Sequence, residues 1–200
     1  MSSAPILTAG NTIALPSIPI DPTNAENAGR TVASIIVELS GNYTIPVQNT
    51  PTSLIPIMSS NSQDGYILTT NDTFNGGGFE MWRAFDNINT SEWAYATEVH
   101  PAWLQIQLPS AKTVTYCKVS TRQNTYANQS ISAAVLQGSN DASAWTTLTN
   151  NINVSSTQNS FILAQSDVTS PASYLYYRLY ITAAQGIGFS GTAQIELWGY

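Results

Sequence analysis

The feature that most constrains the fold is a succession of short stretches in which apolar and polar residues alternate. In WLQIQL, residues 103–108, leucine and isoleucine alternate with glutamine, and YLYYRLYIT at 174–182 has the same two-residue period. Alternation of this kind predicts strands with one face turned to a core. Three further stretches also read as strands, namely AAVLQGS, SFILAQS and AQIELWGY, and turns rich in Asn, Gly and Ser separate them.

No stretch between residues 52 and 200 has the period of an amphipathic helix. Short strands with a turn at intervals of about 8–12 residues are typical of a β-sandwich or jelly roll. We therefore expect an all-β sandwich of the jelly-roll type over residues 51–200. Large aromatic residues in strands usually pack inward, so Trp103, Trp145 and Trp198 are expected in its core.

Residues 1–50 have a different character. Prolines at positions 5, 16, 19 and 22 interrupt short apolar stretches that have no regular period. A segment of this kind cannot form a core by itself, so it is either disordered or extended along a partner. Within it, IIVELSGNYTIPV at 35–47 places two β-branched runs around a Ser-Gly-Asn link, which predicts a β-hairpin. The sequence thus divides into an N-terminal arm and a C-terminal domain.

The balance of charge excludes two classes of partner. Charged residues make up 9% of the chain, and the net charge is −6, with only six Lys and Arg residues. Nucleic-acid binding needs clustered basic residues, and so does binding to an anionic membrane. No run of 18 apolar residues occurs, so membrane insertion is not expected. A surface that owes its solubility to neutral polar groups is typical of extracellular and virion proteins.

Cysteine and histidine are almost absent. The single cysteine, Cys117, excludes an internal disulfide and lies in the apolar run VTYCKV, where it is expected to be a small buried hydrophobe. The single histidine, His100, excludes a metal centre built from several histidines. We therefore expect a protein that is not an enzyme.

Five separate blocks carry a family resemblance by their order and spacing. They are AFDNINTSEW, PAWLQIQL, AVLQGSNDASAWTTL, YLYYRLYIT and the terminal AQIELWGY. Together they resemble the discoidin or F5/8 type C domains, which include a galactose-binding-like family of carbohydrate-binding modules. The resemblance covers residues from about 54 to 200. It implies an eight-stranded jelly roll, a ligand site made by loops at one end, and a structural Ca²⁺ near that end.

The resemblance also implies which residues serve the ion. Asp86, Ser91 and Glu196 match the family's ligands, and Ile88, where the family often has Asn or Asp, offers only its backbone carbonyl. Ca²⁺ takes six to eight oxygen ligands, which a loop of carboxylate and carbonyl groups supplies. A second interpretation stays open, in which Glu196 is a buried carboxylate that accepts hydrogen bonds from the loop and Asp86 caps the turn.

Sugar sites combine an aromatic ring with planar polar groups. The segment STRQNTYANQ supplies both through Arg122, Asn124 and Tyr126, and the resemblance implies that the arginine contacts the sugar. An alternative for Arg122 is a surface arginine paired with a nearby carboxylate.

The family's usual histidine, close behind the conserved tryptophan, is missing here. Tyr95 and Glu92 stand near that position as possible replacements, and Phe189 in the glycine-rich GIGFSG is a further aromatic candidate. The missing histidine favours a structural role over a standard galactose site.

These observations predict a non-enzymatic virion surface protein, such as a phage tail fibre, baseplate or capsid decoration protein, that binds host-cell glycans. Its expected partners are cell-surface carbohydrate, copies of itself in a homo-oligomer, and other virion proteins bound through residues 1–50. The first twenty residues contain three prolines and no basic residue, unlike a signal peptide, so synthesis in a host cytoplasm and release in a virus particle are expected. The alternative is a capsid or tail cement protein with no sugar site.

Overall fold

The computed structural model describes residues 50–200 except 74–76, 97–99, 156–159 and 187, together with the backbone of two short segments, Ile6–Leu7 and Tyr43–Thr44. The chain divides into two compact units, Met1–Asn49 and Thr50–Tyr200. In the first unit, Ile6–Leu7 pairs antiparallel with Tyr43–Thr44. The predicted hairpin at 35–47 lies outside the described residues apart from that second segment.

The described strands follow in chain order. They are β1 Ile6–Leu7, β2 Tyr43–Thr44, β3 Thr52–Ser53, β4 Ser62–Gln63, β5 Tyr66–Thr70, β6 Trp93–Ala96, β7 Ala102–Ser120, β8 Ile131–Ser139, β9 Thr146–Thr147, β10 Leu163–Asp167, β11 Ser173–Ala184, β12 Phe189–Thr192 and β13 Ile195–Gly199. The described helices are the short 3₁₀ helices Met81–Phe85 and Asn124–Gln129. Neither is long and apolar enough to cross a membrane.

The long strand β7 links the two layers of the domain. Its residues 102–107 pair with β5 and β11, whereas residues 114–120 pair with β13 and β10. Next to β11 come β8 and then β9, and β3 lies outside β13. All of these strand pairs are antiparallel. The predicted all-β sandwich is confirmed.

Alternation along the strands builds the core. Leu104 and Ile106 of β7 are fully buried, as are Leu179 and Ile181 of β11, while the residues between them are half-buried on the outer face. Cys117 is also fully buried, and this burial raises the pKa of its thiol to about 12. The cysteine is therefore an inert core residue, as the sequence predicts.

The three tryptophans expected in the core do not lie there. Trp103, Trp145 and Trp198 are half-buried and stand outside the buried cluster. The two-residue period explains the error at two of them, because the adjoining Leu104 and Leu197 point into the core and turn Trp103 and Trp198 to the outer faces. The general tendency of large aromatics to be buried is overruled by strand register.

Candidate functional site

A second, small sheet and a 3₁₀ helix together form the candidate site. In this sheet β6 pairs with β12. The Ser190 hydroxyl of β12 donates to the Gln129 carbonyl of the helix at 2.8 Å, and the Gln185 amide donates to the Ser130 carbonyl at 2.8 Å. These bonds join segments that are far apart in sequence. We call this region the loop rim, and it comprises residues 77–80, 92–96, 122–130 and 185–192 except 187.

A buried ion pair lies under the loop rim. Nε of Arg122 donates to Oε2 of Glu92 at 3.1 Å, and Nη2 donates to Oε1 at 2.5 Å. Nη1 donates to Oε1 of Gln129 at 2.5 Å, and the Gln123 amide donates to Oε2 of Glu92 at 3.2 Å. Arg122 is 3% exposed and Glu92 is 2% exposed. The pair therefore has almost no surface of its own to offer a ligand, and it fixes the segments that carry it.

The alternative interpretation of Arg122, a pairing with a carboxylate, describes this contact, except that the pair is buried. Glu92 directly precedes β6 and Arg122 follows β7 after one residue, so the fold closes the pair across 30 positions of sequence. The burial of these two charged side chains is tolerated because they neutralise each other and form hydrogen bonds with further groups.

Aromatic rings cover the Arg122 guanidinium. Its Cζ lies 4.9 Å from the ring centroid of Tyr126 and 5.8 Å from that of Phe79. Tyr126 is 41% exposed, while Phe79 is half-buried. A cation within about 6 Å of a ring face is attracted by the ring quadrupole. The arrangement holds the Tyr126 ring over a fixed charge while leaving much of it open to solvent.

Tyr95 lies beneath the loop rim. It is fully buried, its ring stacks on Trp93 with centroids 5.2 Å apart, and its hydroxyl lies 3.4 Å from Nε2 of His100. Burial raises the pKa of Tyr95 to about 12, and a hydrogen bond with Ser190 opposes that shift. In this position Tyr95 supports the rim from below and does not present its ring at the surface.

Phe189 opens β12 and is 37% exposed, opposite Ala96 of β6. The turn before it contains Gly186 at φ +97°, where a side chain would come within 2.8 Å of Cγ of Gln129. A glycine is needed there both for the left-handed conformation and for the close approach. Asn124 begins the neighbouring 3₁₀ helix, and its side chain lies outside the described part of the structure.

The structure therefore divides the predicted ligand residues by exposure. Tyr126 and Phe189 are exposed at the loop rim, whereas Arg122, Glu92 and Tyr95 are buried below it. Sequence reasoning missed two contributors, Phe79 and Gln129, although Gln129 stands within the segment singled out as polar and aromatic. Phe79 follows a run of three glycines, a turn signal that does not reveal a ring beside Arg122.

A family model described as the F5/8 type C domain matches residues 60–194. The chain belongs to the F5/8 type C family. The match covers the whole loop rim and the long strand β7, and it ends at the residue before β13. None of the curated proteins compared with the sequence matches it.

Solved structures agree with the F5/8 type C assignment. Chitosan-binding module 1 of a chitosanase/glucanase from Paenibacillus sp. IK-5 is similar at 25% identity and TM-score 0.55, over 68% of this chain and 96% of that one. The module CpGH89CBM32-5 of Clostridium perfringens, in complex with GalNAc-β-1,3-galactose, is similar at 16% identity and TM-score 0.57, over 73% and 99%. An F5/8 type C domain of Bacteroides fragilis has 11% identity and TM-score 0.58, over 76% and 98%.

In this F5/8 type C domain, the loop that contains Asp86 fits the predicted Ca²⁺ site in part. Oδ1 of Asp86 accepts the Ile88 amide at 2.9 Å, so the turn-capping interpretation describes that oxygen. Oδ2 is buried and has no hydrogen-bond partner among the described residues. A buried carboxylate oxygen without a partner is costly, and a cation would satisfy it. The Ser91 amide donates to the Ile88 carbonyl at 3.0 Å, and the Ser91 hydroxyl accepts from Arg83 at 3.2 Å.

Glu196 fits the ion less well. Its Oε2 accepts from the Trp198 indole at 2.7 Å and pairs with the Lys118 ammonium at 3.2 Å. Glu196 and Asn87 line one open cleft of about 230 Å³, so the two loops meet there. Within the described part of the chain, no three acidic, His or Cys side chains converge. A cation near Glu196 would compete with Lys118.

Proposed function

We propose that the loop rim is a glycan-binding site in which the exposed rings of Tyr126 and Phe189 contact the sugar. The observation that carries this proposal is the Tyr126 ring, 41% exposed and 4.9 Å from the guanidinium of a buried, immobilised arginine. Sugars present apolar faces that stack on aromatic rings, and a ring held in one orientation loses little entropy on binding.

Two further facts support a carbohydrate ligand. The chain belongs to the F5/8 type C family, and a similar structure at 25% identity is a chitosan-binding module. Asn128, exposed on the same 3₁₀ helix as Tyr126, offers a planar amide for sugar hydroxyls. Arg122 and Glu92 serve as positioning residues in this proposal, because their hydrogen bonds are spent on each other and on the protein.

The module is proposed to be non-catalytic. Hydrolysis of a glycoside uses two carboxyl groups that face the scissile bond. The two buried carboxylates of the described residues serve other contacts, since Glu92 is paired with Arg122 and Oδ1 of Asp86 caps its own turn.

The wider role proposed is that of a virion surface protein, in a phage tail fibre, baseplate or capsid decoration. Residues 1–50 would bind other virion proteins, homo-oligomers would present several rims to host-cell glycans, and Ca²⁺ at Asp86 would brace the loop. Its support is the scarcity of charge, at 9% of residues, and the distinct composition of the proline-rich arm. Several weak sites on one particle bind far more tightly than one.

A structural cement role is the second candidate, and burial favours it. Arg122, Glu92 and Tyr95 have little or no exposed side chain, so half of the predicted ligand residues are unavailable to a sugar. A cement protein needs only its outer faces and its arm, and it would leave the rings of the rim without a function.

A glycan array probed with the full chain at high density, with Ca²⁺ present, tests the proposed function. We expect binding that Tyr126→Ala weakens about ten-fold, the effect of losing roughly 1.4 kcal/mol of stacking. Tyr200→Ala is the matched control, since Tyr200 is also exposed and pairs with Thr113, far along β7 from the rim. No binding to any glycan on the array would reject the proposal in favour of the cement role.

A further inference from the structure

The outer face of the layer formed by β5, β7, β11, β8 and β9 has an unusual composition. Because the neighbouring residues point into the core, the part of this face around Arg178 presents three aromatic rings, two amides and one guanidinium, all half-buried. We call it the sheet face, and it is made by Trp103, Gln105, Gln137, Trp145, Arg178 and Tyr180. In the strand register Arg178 lies opposite Gln105 on one side and Gln137 on the other, and Tyr180 lies opposite Trp103.

Arg178 is held rigidly at the centre of this face. Its Cζ lies 4.1 Å from the ring centroid of Trp145 and 4.7 Å from that of Tyr180. Its Nε donates to Oε1 of Gln137 at 2.8 Å. The stacking and the hydrogen bond fix the plane of the guanidinium before any ligand arrives, so little entropy remains to be lost on binding.

The charge of Arg178 is not neutralised within the described part of the chain. The ion pairs found there join Arg83 with Glu80, Lys118 with Glu196 and Arg122 with Glu92, and none involves Arg178. Nor do its terminal nitrogens, Nη1 and Nη2, donate to any described acceptor. Burial lowers the pKa of this guanidinium, but an arginine remains protonated at neutral pH.

We propose that the sheet face binds an acidic polysaccharide chain, with a uronate carboxylate on Arg178 and sugar rings against Trp103, Trp145 and Tyr180. Two parallel N–H groups of a guanidinium match the two oxygens of a carboxylate. The flanking rings suit the apolar faces of pyranoses, and the glutamine amides can both donate to and accept from hydroxyls. A long, open sheet face accommodates a chain passing across it, where the loop rim accommodates a sugar at one point.

The charge of the face argues against two other occupants. If a second copy packed here about a two-fold axis, two Arg178 side chains would be buried close together with no acid on the face to neutralise them. A nucleic acid, with one phosphate for every few ångströms of length, requires a cluster of cations, and this face has one.

The sheet face is separate from the loop rim. Arg178 precedes the end of β11 at Ala184 by six residues, which is about 20 Å along a strand. Binding at the two places is therefore expected to respond to different substitutions.

The proposal is tested by isothermal titration calorimetry of the full chain with polygalacturonate. The fully methyl-esterified form of the polymer is the uncharged control ligand. We expect the acid form to bind more tightly, and its binding to weaken as NaCl is raised. Arg178→Gln should weaken it at least about ten-fold, as expected for the loss of a charge-assisted bidentate contact, and Arg178→Lys should have an intermediate effect. The matched control is Lys112→Gln, which removes the same charge at an exposed site on β7 and should change binding less than about two-fold.

Circular dichroism and the thermal midpoint establish that each variant is folded, and the salt series on the unchanged protein provides a test that needs no variant. Equal binding of acid and ester, unchanged binding by folded Arg178→Gln, or no binding at low salt would each overturn the proposal. So would loss of polygalacturonate binding in Tyr126→Ala, because that ligand would then occupy the rim. If no glycan on the array is bound but polygalacturonate still binds, only the function proposed for the rim is rejected.

Discussion

Arg122 and Glu92 form a bidentate ion pair that is almost fully enclosed by protein, at N–O distances of 3.1 and 2.5 Å. The pair ties the segment after β7 to the segment before β6, and the exposed Tyr126 ring lies on it. Several expected outcomes depend on this and on the neighbouring contacts of the rim.

Breaking the buried pair should destabilise the domain far more than breaking an exposed one. Glu92→Gln leaves the Arg122 charge buried without a counter-charge, and we expect a loss of about 3–5 kcal/mol in the free energy of unfolding. Glu80→Gln, which removes the partly exposed pair with Arg83, is the matched control and should cost under about 1 kcal/mol. Urea denaturation measures both. Similar losses in the two variants would mean that Arg122 finds another partner.

Stability should fall at alkaline pH because of the buried Tyr95. The folded pKa of Tyr95 is about 12, above the ordinary 10.0, so the folded state binds the phenolic proton more tightly. The resulting stabilisation is complete below pH 10 and is lost as pH rises toward 12, because the unfolded chain then releases the proton first. Thermal midpoints between pH 9 and 12 should fall less steeply in Tyr95→Phe than in the unchanged protein. Parallel slopes in the two proteins would contradict the prediction.

The orphaned Oδ2 of Asp86 predicts a calcium response in thermal stability. Ca²⁺ that binds only the folded protein raises the midpoint, in proportion to the logarithm of its concentration above the dissociation constant. We expect this increase in the unchanged protein, its removal by EGTA, and its absence in Asp86→Asn.

Glu196→Gln should retain more of the calcium response than Asp86→Asn, because Lys118 and Trp198 already engage that carboxylate. If the thermal midpoint of the unchanged protein does not change with Ca²⁺, Asp86 does nothing beyond capping its turn.

Position 186, in the turn before Phe189, should tolerate no side chain. Gly186→Ala places a Cβ in a left-handed residue and against Gln129, and we expect a loss of about 1–3 kcal/mol together with weaker glycan binding. Gly77→Ala is the matched control, since Gly77 has φ +73° and open space around it, so only the backbone cost of about 1 kcal/mol applies. Denaturation curves and the glycan array provide the two measurements. If Gly186→Ala costs no more than Gly77→Ala, contact with Gln129 does not shape the rim.

Local periodicity was enough to predict the class of fold. Each strand carries its own alternation, and the side chains that face the core are those the alternation selects, as in Leu104 and Ile106. The two-residue period also places Trp103 and Trp198 on the outer faces, because each adjoins an inward leucine. A preference that depends on residue type misled where the strand period did not.

The sequence by itself determined an all-β sandwich with the fold of the F5/8 type C family and a polar, aromatic segment at 122–129. Only the tertiary structure decided that Arg122 faces Glu92 instead of solvent, that Tyr95 lies under the rim, and that Trp145 and Tyr180 enclose Arg178. The physical reason is range. Alternation and turn chemistry act between residues a few positions apart. The contacts of Arg122 with Glu92 and of Arg178 with Trp145 join residues about thirty positions apart, and the burial of Tyr95 depends on how the strands pack over it. The contact of Arg178 with Tyr180 is the exception, since it is local in sequence.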